Sequence, residues 1–494
     1  MRLVTRIILA LLVVIAALAI TIVVVVLPPS PLVPPEQGLT LKNVTWIVPG
    51  KARASNQRIV VEGSLIKEVG PDSSALVGPG YQEATPSTGF SGAFVMPGLT
   101  DVHVHFPPPT LPGQTELFAF LHRYHGVTSA RDAGDVSGTS SAPALEGLRS
   151  GRFAGPRLVS CGYFVDGPDP LWGNSLVVET PEQGRAAVRR LAAEGFACVK
   201  AYNGLDRTSL DAIRDEAASA GLPVIGHTPR SVPYEQARLD DVQHLIGIAP
   251  PFEGETPSFP LILEGWLRLD DERREAMIEA ALEFEIANTP TLVTIDRLVA
   301  MRDYEALVEE SDVRMLPGFY RNVVWSPVEG ISAARGLEDA DFDMIESALD
   351  VMLETVKRMH ERGVRLHSGT DTLIAFIVPG AALHRELRLF TRAGLSSEEA
   401  LTISMVTSAQ AVGGVDYGRI EPGAPAELVI FREDPTRSLD ALDTILGVVR
   451  DGRLYTREML DDQLDRYRNH FENSLYEALL TPLVRSVVAS TAPD

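Results

Sequence analysis

The sequence predicts an α/β fold, a (β/α)8 barrel of parallel strands alternating with helices, and three observations point to it. Eight strand-like segments lie near residues 95–106, 127–132, 157–163, 196–202, 223–227, 241–246, 288–294 and 365–371, with helical patterns such as 181–193 and 209–220 between them. Residues suited to chemistry close several of these strands, and the carboxyl end of barrel strands is where active sites are built. Both flanks, 39–94 and 418–455, are β-like, with short alternating segments broken by Gly, Pro and Ser.

The first element precedes the barrel. Residues 7–27 form an apolar run interrupted only by Thr21, preceded by Arg2 and Arg6, and long enough to cross a hydrocarbon core of about 30 Å. Positive charge on the amino-terminal side, with none before Lys42 on the other, orients the large domain outside the cytoplasm. We therefore expect residues 1–27 to be a membrane signal anchor; cleavage near Ala17-Leu18-Ala19, giving a secreted or periplasmic protein, is the alternative. The Pro-rich stretch 28–37 follows as an expected semi-rigid spacer holding the folded part off the membrane.

The remaining organisation is expected to be a β unit at 38–94, a barrel at 95–412, a second β unit at 413–455 and a helical tail at 456–494. Long connections at 249–270 and 297–349 exceed what a minimal barrel needs and would shape access to its carboxyl face. In the tail Leu460, Leu464, Tyr467, Phe471, Leu475 and Leu479 recur at helical spacing, which predicts an amphipathic helix packing on the core.

Composition excludes some functions. With 494 residues, 45% of them hydrophobic, the chain can bury a large core. Its 66 acidic against 44 basic side chains, a net charge of −22, remove the attraction to phosphate that nucleic-acid binding requires. The two cysteines, Cys161 and Cys198, sit in apolar strand-like runs and are expected to be buried thiols rather than a bridge.

The stretch Val95-Met-Pro-Gly-Leu-Thr-Asp-Val-His-Val-His-Phe106 carries the strongest chemical signal. Side chains alternate along a strand, so His103 and His105 project to one face and two imidazoles there can share a metal. Lys200 ends the apolar segment 196–202, where an unpartnered ammonium would cost several kcal/mol to bury. Unprotonated, such an amine can add carbon dioxide and become an anionic carbamate. His227 and His244 end the next two strands, and Asp371 ends the last, where a carboxylate can both bind a metal and accept a proton.

In this order, His103-x-His105, Lys200, His227, His244 and Asp371, the chain resembles the amidohydrolase superfamily in its binuclear, lysine-carbamate subtype. The segments Gly126-Val-Thr-Ser-Ala-Arg-Asp-Ala-Gly134, His384-Arg-Glu-Leu387 and Gly418-Arg-Ile-Glu-Pro-Gly-Ala-Pro-Ala-Glu-Leu-Val429 resemble its imidazolonepropionase-like and Xaa-Pro-dipeptidase-like branch. The resemblance runs from about residue 38 to 455 and implies that the two β flanks join into a composite β-sandwich. It implies two divalent ions, zinc by default for nitrogen and oxygen donors, with His103, His105 and Asp371 on one, His227 and His244 on the other, and the Lys200 carbamate between them. It further implies a hydroxide held between the metals attacking an amide carbonyl, with Asp371 passing the proton to the leaving nitrogen.

Tyr202 and Arg230 follow ligand strands closely enough to face the pocket, and Arg230 is a candidate clamp for a substrate carboxylate. His122 and His125 precede the second strand and are expected to be structural, whereas His384 could border the pocket. The expected substrate is a small amide such as a dipeptide or N-acyl amino acid. Cyclic amides, carbamates and esters, single-metal deamination and a silent tethered scaffold are the alternatives. A homo-oligomer is compatible with the sequence.

Overall fold

The computed structural model describes residues 25–72, 89–251 and 259–491. The expected membrane anchor lies, except for Val25, Val26 and Leu27, outside the described residues, and among the described residues no helix is long and apolar enough to cross a membrane.

Strands β1 (Leu39–Val48), β2 (Ala52–Glu62), β3 (Leu65–Pro71) and β4 (Phe94–Pro97) precede the barrel. The barrel is built on β5 (Leu99–Val104), β6 (Val127–Asp132), β7 (Arg157–Ser160), β8 (Phe164–Asp166), β9 (Leu176–Val177), β10 (Val199–Ala201), β11 (Val224–Gly226), β12 (Asp241–Gln243) and β13 (Ala287–Thr289). Strands β14 (Leu428–Phe431), β15 (Ile445–Arg450) and β16 (Arg453–Thr456) follow it.

Parallel pairing runs β5–β6–β7 and β8–β10–β11–β12–β13, with β9 on the outer edge of β8. The third barrel strand is thus split. Its first half pairs with β6, the chain turns at Gly162, and its second half pairs with β10.

The eighth strand, expected at 365–371, is not a regular strand. Its backbone still closes the ring, because Asn288 N donates to Arg365 O (2.9 Å) and His367 N to Asn288 O (2.9 Å) on the β13 side. On the β5 side Val102 N donates to Ser368 O (2.9 Å) and Asp371 N to His103 O (2.7 Å). Ser368 and Thr370 tie this segment to β5 through their hydroxyls, which donate to Thr100 O (2.8 Å) and Asp101 Oδ2 (2.6 Å), and Asp371 turns out of the strand with φ 60°.

The two β flanks do join, in the order β16-β15-β14-β4-β1-β2-β3. In hydrogen bonding this is one continuous sheet of seven rather than two separate sheets. β4 splices the halves together, parallel to β1 and antiparallel to β14, with Val95 opposite Ile430. Irregularities in β1 between Leu41 and Trp46 let the single sheet bend around an apolar core of its own, including Leu41, Ile59, Val95, Leu428 and Val449.

Three further expectations are corrected. Cys161 and Cys198 form a disulfide: they flank the ends of adjacent barrel segments, with Cα atoms 4.5 Å apart, although 37 residues separate them in sequence. The Pro-rich stretch is not a free spacer, since Pro28 and Phe471 meet over Gly113, Gln463 Nε2 donates to Ser30 O (3.2 Å) and Arg453 holds Pro35 O. The tail is two helices, Arg457–Phe471 and Ser474–Thr491, because Asn473 ends one and restarts the next, its Oδ1 accepting Leu475 N (2.9 Å). Leu460, Leu464, Tyr467 and Phe471 are buried as expected, but Leu475 is exposed.

Candidate metal centre

Five barrel segments bring the candidate residues together at their carboxyl ends: β5 carries His103 with His105 beyond it, β10 carries Lys200, and His227, His244 and Asp371 follow β11, β12 and the eighth segment. His103 Nε2 and His105 Nε2 lie 3.3 Å apart. Both face Asp371 Oδ1, at 3.2 and 3.1 Å, and His244 Nε2 approaches Asp371 Oδ2 at 3.9 Å. His227 joins through its ring, edge-on to His244 with centroids 5.1 Å apart.

Three of the four imidazoles are held from behind. His105 Nδ1 donates to Gly134 O (2.7 Å), which leaves the lone pair on Nε2. Gly134 has φ 136°, and a Cβ there would meet the Phe164 ring at 2.8 Å, so only glycine presents its carbonyl this way. His227 Nδ1 donates to Asn203 Oδ1 (2.9 Å), and His244 Nδ1 lies 2.6 Å from Thr291 Oγ1. Below the histidine strand, Asp101 accepts from Thr370 Oγ1 (2.6 Å) and from His103 N (3.2 Å), tying β5 to the eighth segment. His244 and Asp371 both adopt left-handed backbone, φ 58° and 60°, at a cost on the order of 1 kcal/mol each.

The electrostatics suit metal donors. Burial pushes His103 and His227 well below the ordinary imidazole range and His244 down to about 4, so these rings are neutral with lone pairs available. Burial alone would lower His105 as well, but the Asp371 hydrogen bond and charge raise it. Burial would raise Asp371; the imidazoles of His103, His244 and His105 packed around it instead hold it well below the usual carboxylate range. Burial brings the Lys200 ammonium down to about 7, so near neutral pH much of it is the free amine. Its Nζ donates to Gln243 Oε1, while Gln243 Nε2 is buried without a hydrogen-bond partner.

This donor set fits a divalent ion. Two nitrogens on one tetrahedral zinc, each about 2.0–2.1 Å from it, sit about 3.4 Å apart, close to the spacing of the paired histidines. His103, His244 and Asp371 offer ligand atoms within 4.8 Å of one another. His103 Nδ1 is buried with no hydrogen-bond partner.

Residues 307–455 match the amidohydrolase family. Among solved structures, a bottromycin amidohydrolase is similar at 22% identity, with TM-score 0.67 over 87% of this chain and 91% of its own. A Xaa-Pro dipeptidase with bound methionine in its active site is similar at 19% identity, TM-score 0.61, over 85% of this chain and 100% of its own. The ochratoxinase of A. niger is similar at 18% identity, TM-score 0.61, over 85% and 96%. The chain thus shares the fold of these amidohydrolase structures, and its segment 307–455 carries the family match. Sequence comparison with curated proteins gives no match.

One side of the cluster is walled by aromatic side chains. Tyr202 stacks on the His227 ring, with centroids 4.2 Å apart, and its hydroxyl accepts Trp172 Nε1 (3.2 Å). Trp172 in turn stacks on Phe164, centroids 5.7 Å apart, and Phe164 lies edge-on to Tyr202. Arg230 is exposed, its backbone N donating to Asn203 O (3.0 Å).

His384 is not part of this wall. Its Nε2 bonds the His125 carbonyl (2.8 Å) and its Nδ1 faces Asp443 at 3.9 Å. His122 and His125 are buried in the helix Gln114–Tyr124 and its cap.

Asn203, Gln243, Thr291 and Trp172 escaped the sequence reading. Asn203 and Gln243 stand within three residues of a candidate ligand and could have been found by that proximity. Thr291 and Trp172 reach the centre from loops whose course the sequence pattern does not give.

Proposed function

We propose that this chain is a binuclear metal-dependent amidohydrolase that cleaves amide bonds of small substrates such as dipeptides or N-acyl amino acids. The observation that carries the reading is the convergence of His103, His105, His244 and Asp371 on one another, with a buried Lys200 and His227 alongside. His103, His105 and Asp371 would hold one ion, His227 and His244 a second, and Lys200, as its carbamate, would lie between them. Zinc is the metal such nitrogen and oxygen donors favour. Bound divalent ions supply Lewis-acid polarisation of a carbonyl and lower the pKa of water.

The remaining chemistry belongs to the chain's own groups. Asp371 Oδ1 is engaged by His103 and His105, which leaves Oδ2 to take up a proton and return it to the departing nitrogen. Its depressed pKa keeps it ionised for that first step. Phe164, Trp172 and Tyr202 shield one side of the cluster from water, and Arg230, exposed near Tyr202, is the candidate partner for a substrate carboxylate. The methionine held in the active site of the similar Xaa-Pro dipeptidase supports a product of amino-acid size.

We further propose that the catalytic part is extracytoplasmic and tethered by residues 7–27. The disulfide Cys161–Cys198 supports export, because such bonds persist in oxidising compartments.

Metal content and turnover measured together on wild type and Lys200→Ala, against dipeptides, N-acyl amino acids and lactams, test the reading. The expected result is about two ions per chain and lysine-dependent hydrolysis of the linear amides. Wild-type protein that takes up no metal and turns over none of the panel would overturn it.

A further inference from the structure

The helix Ser474–Thr491 carries two apolar stripes where packing requires one. Tyr476, Leu480, Val484 and Val488 recur every four residues and are buried. Leu475, Leu479, Leu483 and Val487 repeat the same spacing one residue earlier, and Leu475, Leu483 and Val487 are 53%, 63% and 61% exposed. Pro482 is exposed on the same helix, whose charged residues are Glu477 and Arg485. Arg485 Nε pairs with Glu329 (3.1 Å), in a turn that also bears the exposed Val328 and Ile331. The preceding helix Arg457–Phe471 is different: it carries Arg457, Glu458, Asp461, Asp462, Asp465, Arg466 and Arg468 and buries a single stripe.

A second observation brings the amino-terminal segment beside this helix. The apolar run at 7–27 leads into described chain at the foot of the same helix. Pro28 and Phe471 both crowd Gly113, the Phe471 ring lies 5.1 Å from Tyr476, and Tyr476 OH accepts Gln114 Nε2 (3.2 Å). Leu27 and Val33 are themselves exposed there. A chain that leaves a bilayer at Leu27 and is bound to the tail within a few residues holds that tail close to the lipid.

We propose that the helix Ser474–Thr491 lies on the surface of the membrane that residues 7–27 enter, with Leu475, Leu483 and Val487 in the interfacial layer. This rests on the reading of residues 7–27 as an anchor. The contact is apolar: with a net charge of −22 the chain gains nothing from anionic headgroups, and a helix with so few charges offers no basic face to them.

The test uses the full chain in phosphatidylcholine vesicles, with an environment-sensitive fluorophore on Leu483→Cys and, as control, on Val415→Cys. Val415 is 73% exposed and follows Gly413, which packs on Arg157 at the opposite, amino-terminal end of the barrel. Doxyl-labelled lipid should quench the label at 483 roughly threefold more than at 415, and raised salt should not reverse it. Equal quenching at both positions in vesicle-bound protein overturns the proposal. So does unquenched label at 483 that transfers energy between copies, which would assign the face to a dimer. Protein that fails to float with the vesicles overturns the anchor and this proposal together, so the two failures are distinguishable.

Discussion

Thr291 Oγ1 lies 2.6 Å from His244 Nδ1, and it is held there from the far side by Glu386. The buried Glu386 side chain accepts Leu292 N (3.0 Å) and Val293 N (2.7 Å), the first amides of the helix Leu292–Ala300, and thereby fixes Thr291 in left-handed backbone, φ 49°. A residue on the distant helix Ala381–Ala393 thus orients an imidazole of the metal centre. Thr291→Val keeps the shape and removes the oxygen, so metal affinity should fall by about tenfold with the fold unchanged. Metal-chelator competition checks it, and unaltered affinity would mean that His244 is oriented by packing alone.

Trp172 separates stacking from hydrogen bonding at the pocket wall. Trp172→Phe retains a ring against Phe164 and loses the bond to the Tyr202 hydroxyl, whereas Trp172→Ala loses both. If the wall positions substrate, KM should rise by a few fold in the first and by about tenfold in the second, while metal content stays level. Steady-state kinetics with metal analysis on the same samples reads both.

How much of this was legible in the sequence depends on whether neighbours in space are neighbours in the chain. His103 and His105 announce themselves because strand alternation is local, and His227, His244 and Asp371 because each closes a segment of its own. The Cys161–Cys198 bond was not legible, since it depends on the third strand breaking at Gly162 and pairing its second half with β10. Nor was the phase change in the tail: Leu475 continues the periodicity of Leu460, Leu464 and Phe471, but the cap at Asn473 resets the helix and turns Leu475 outward.

His122 should set the acid limit of stability. Its ring is fully buried in the helix Gln114–Tyr124, neither nitrogen has a hydrogen-bond partner, and burial lowers its pKa to about 3. Between 3 and the unfolded value near 6.5 the unfolded chain binds the extra proton. Stability from this group is therefore complete above about 6.5 and is lost as pH falls toward 3. His122→Leu removes that dependence: the variant should gain about 2 kcal/mol on wild type between pH 7 and pH 5. Urea unfolding at the two pH values measures the difference, and parallel curves would mean that the ring titrates normally in the folded state.

The Cys161–Cys198 bond should stabilise the barrel without tuning its chemistry. Both sulfurs are buried in a small apolar cluster with Ala133 and Ile225, so alanine at both positions introduces no polar group. Closing a loop of 37 residues removes unfolded-state entropy worth about 4 kcal/mol, which the double variant Cys161→Ala, Cys198→Ala should lose. Reductant should not reach the bond in the folded chain and should lower the urea midpoint of wild type alone, by opening the bond once the chain unfolds. Because Cys198 stands two residues before Lys200, metal content decides whether the bond does more. Unchanged metal uptake in the double variant confines the disulfide to stability. A parallel loss of metal would show that the tie between the split third strand and β10 also holds Lys200 in place.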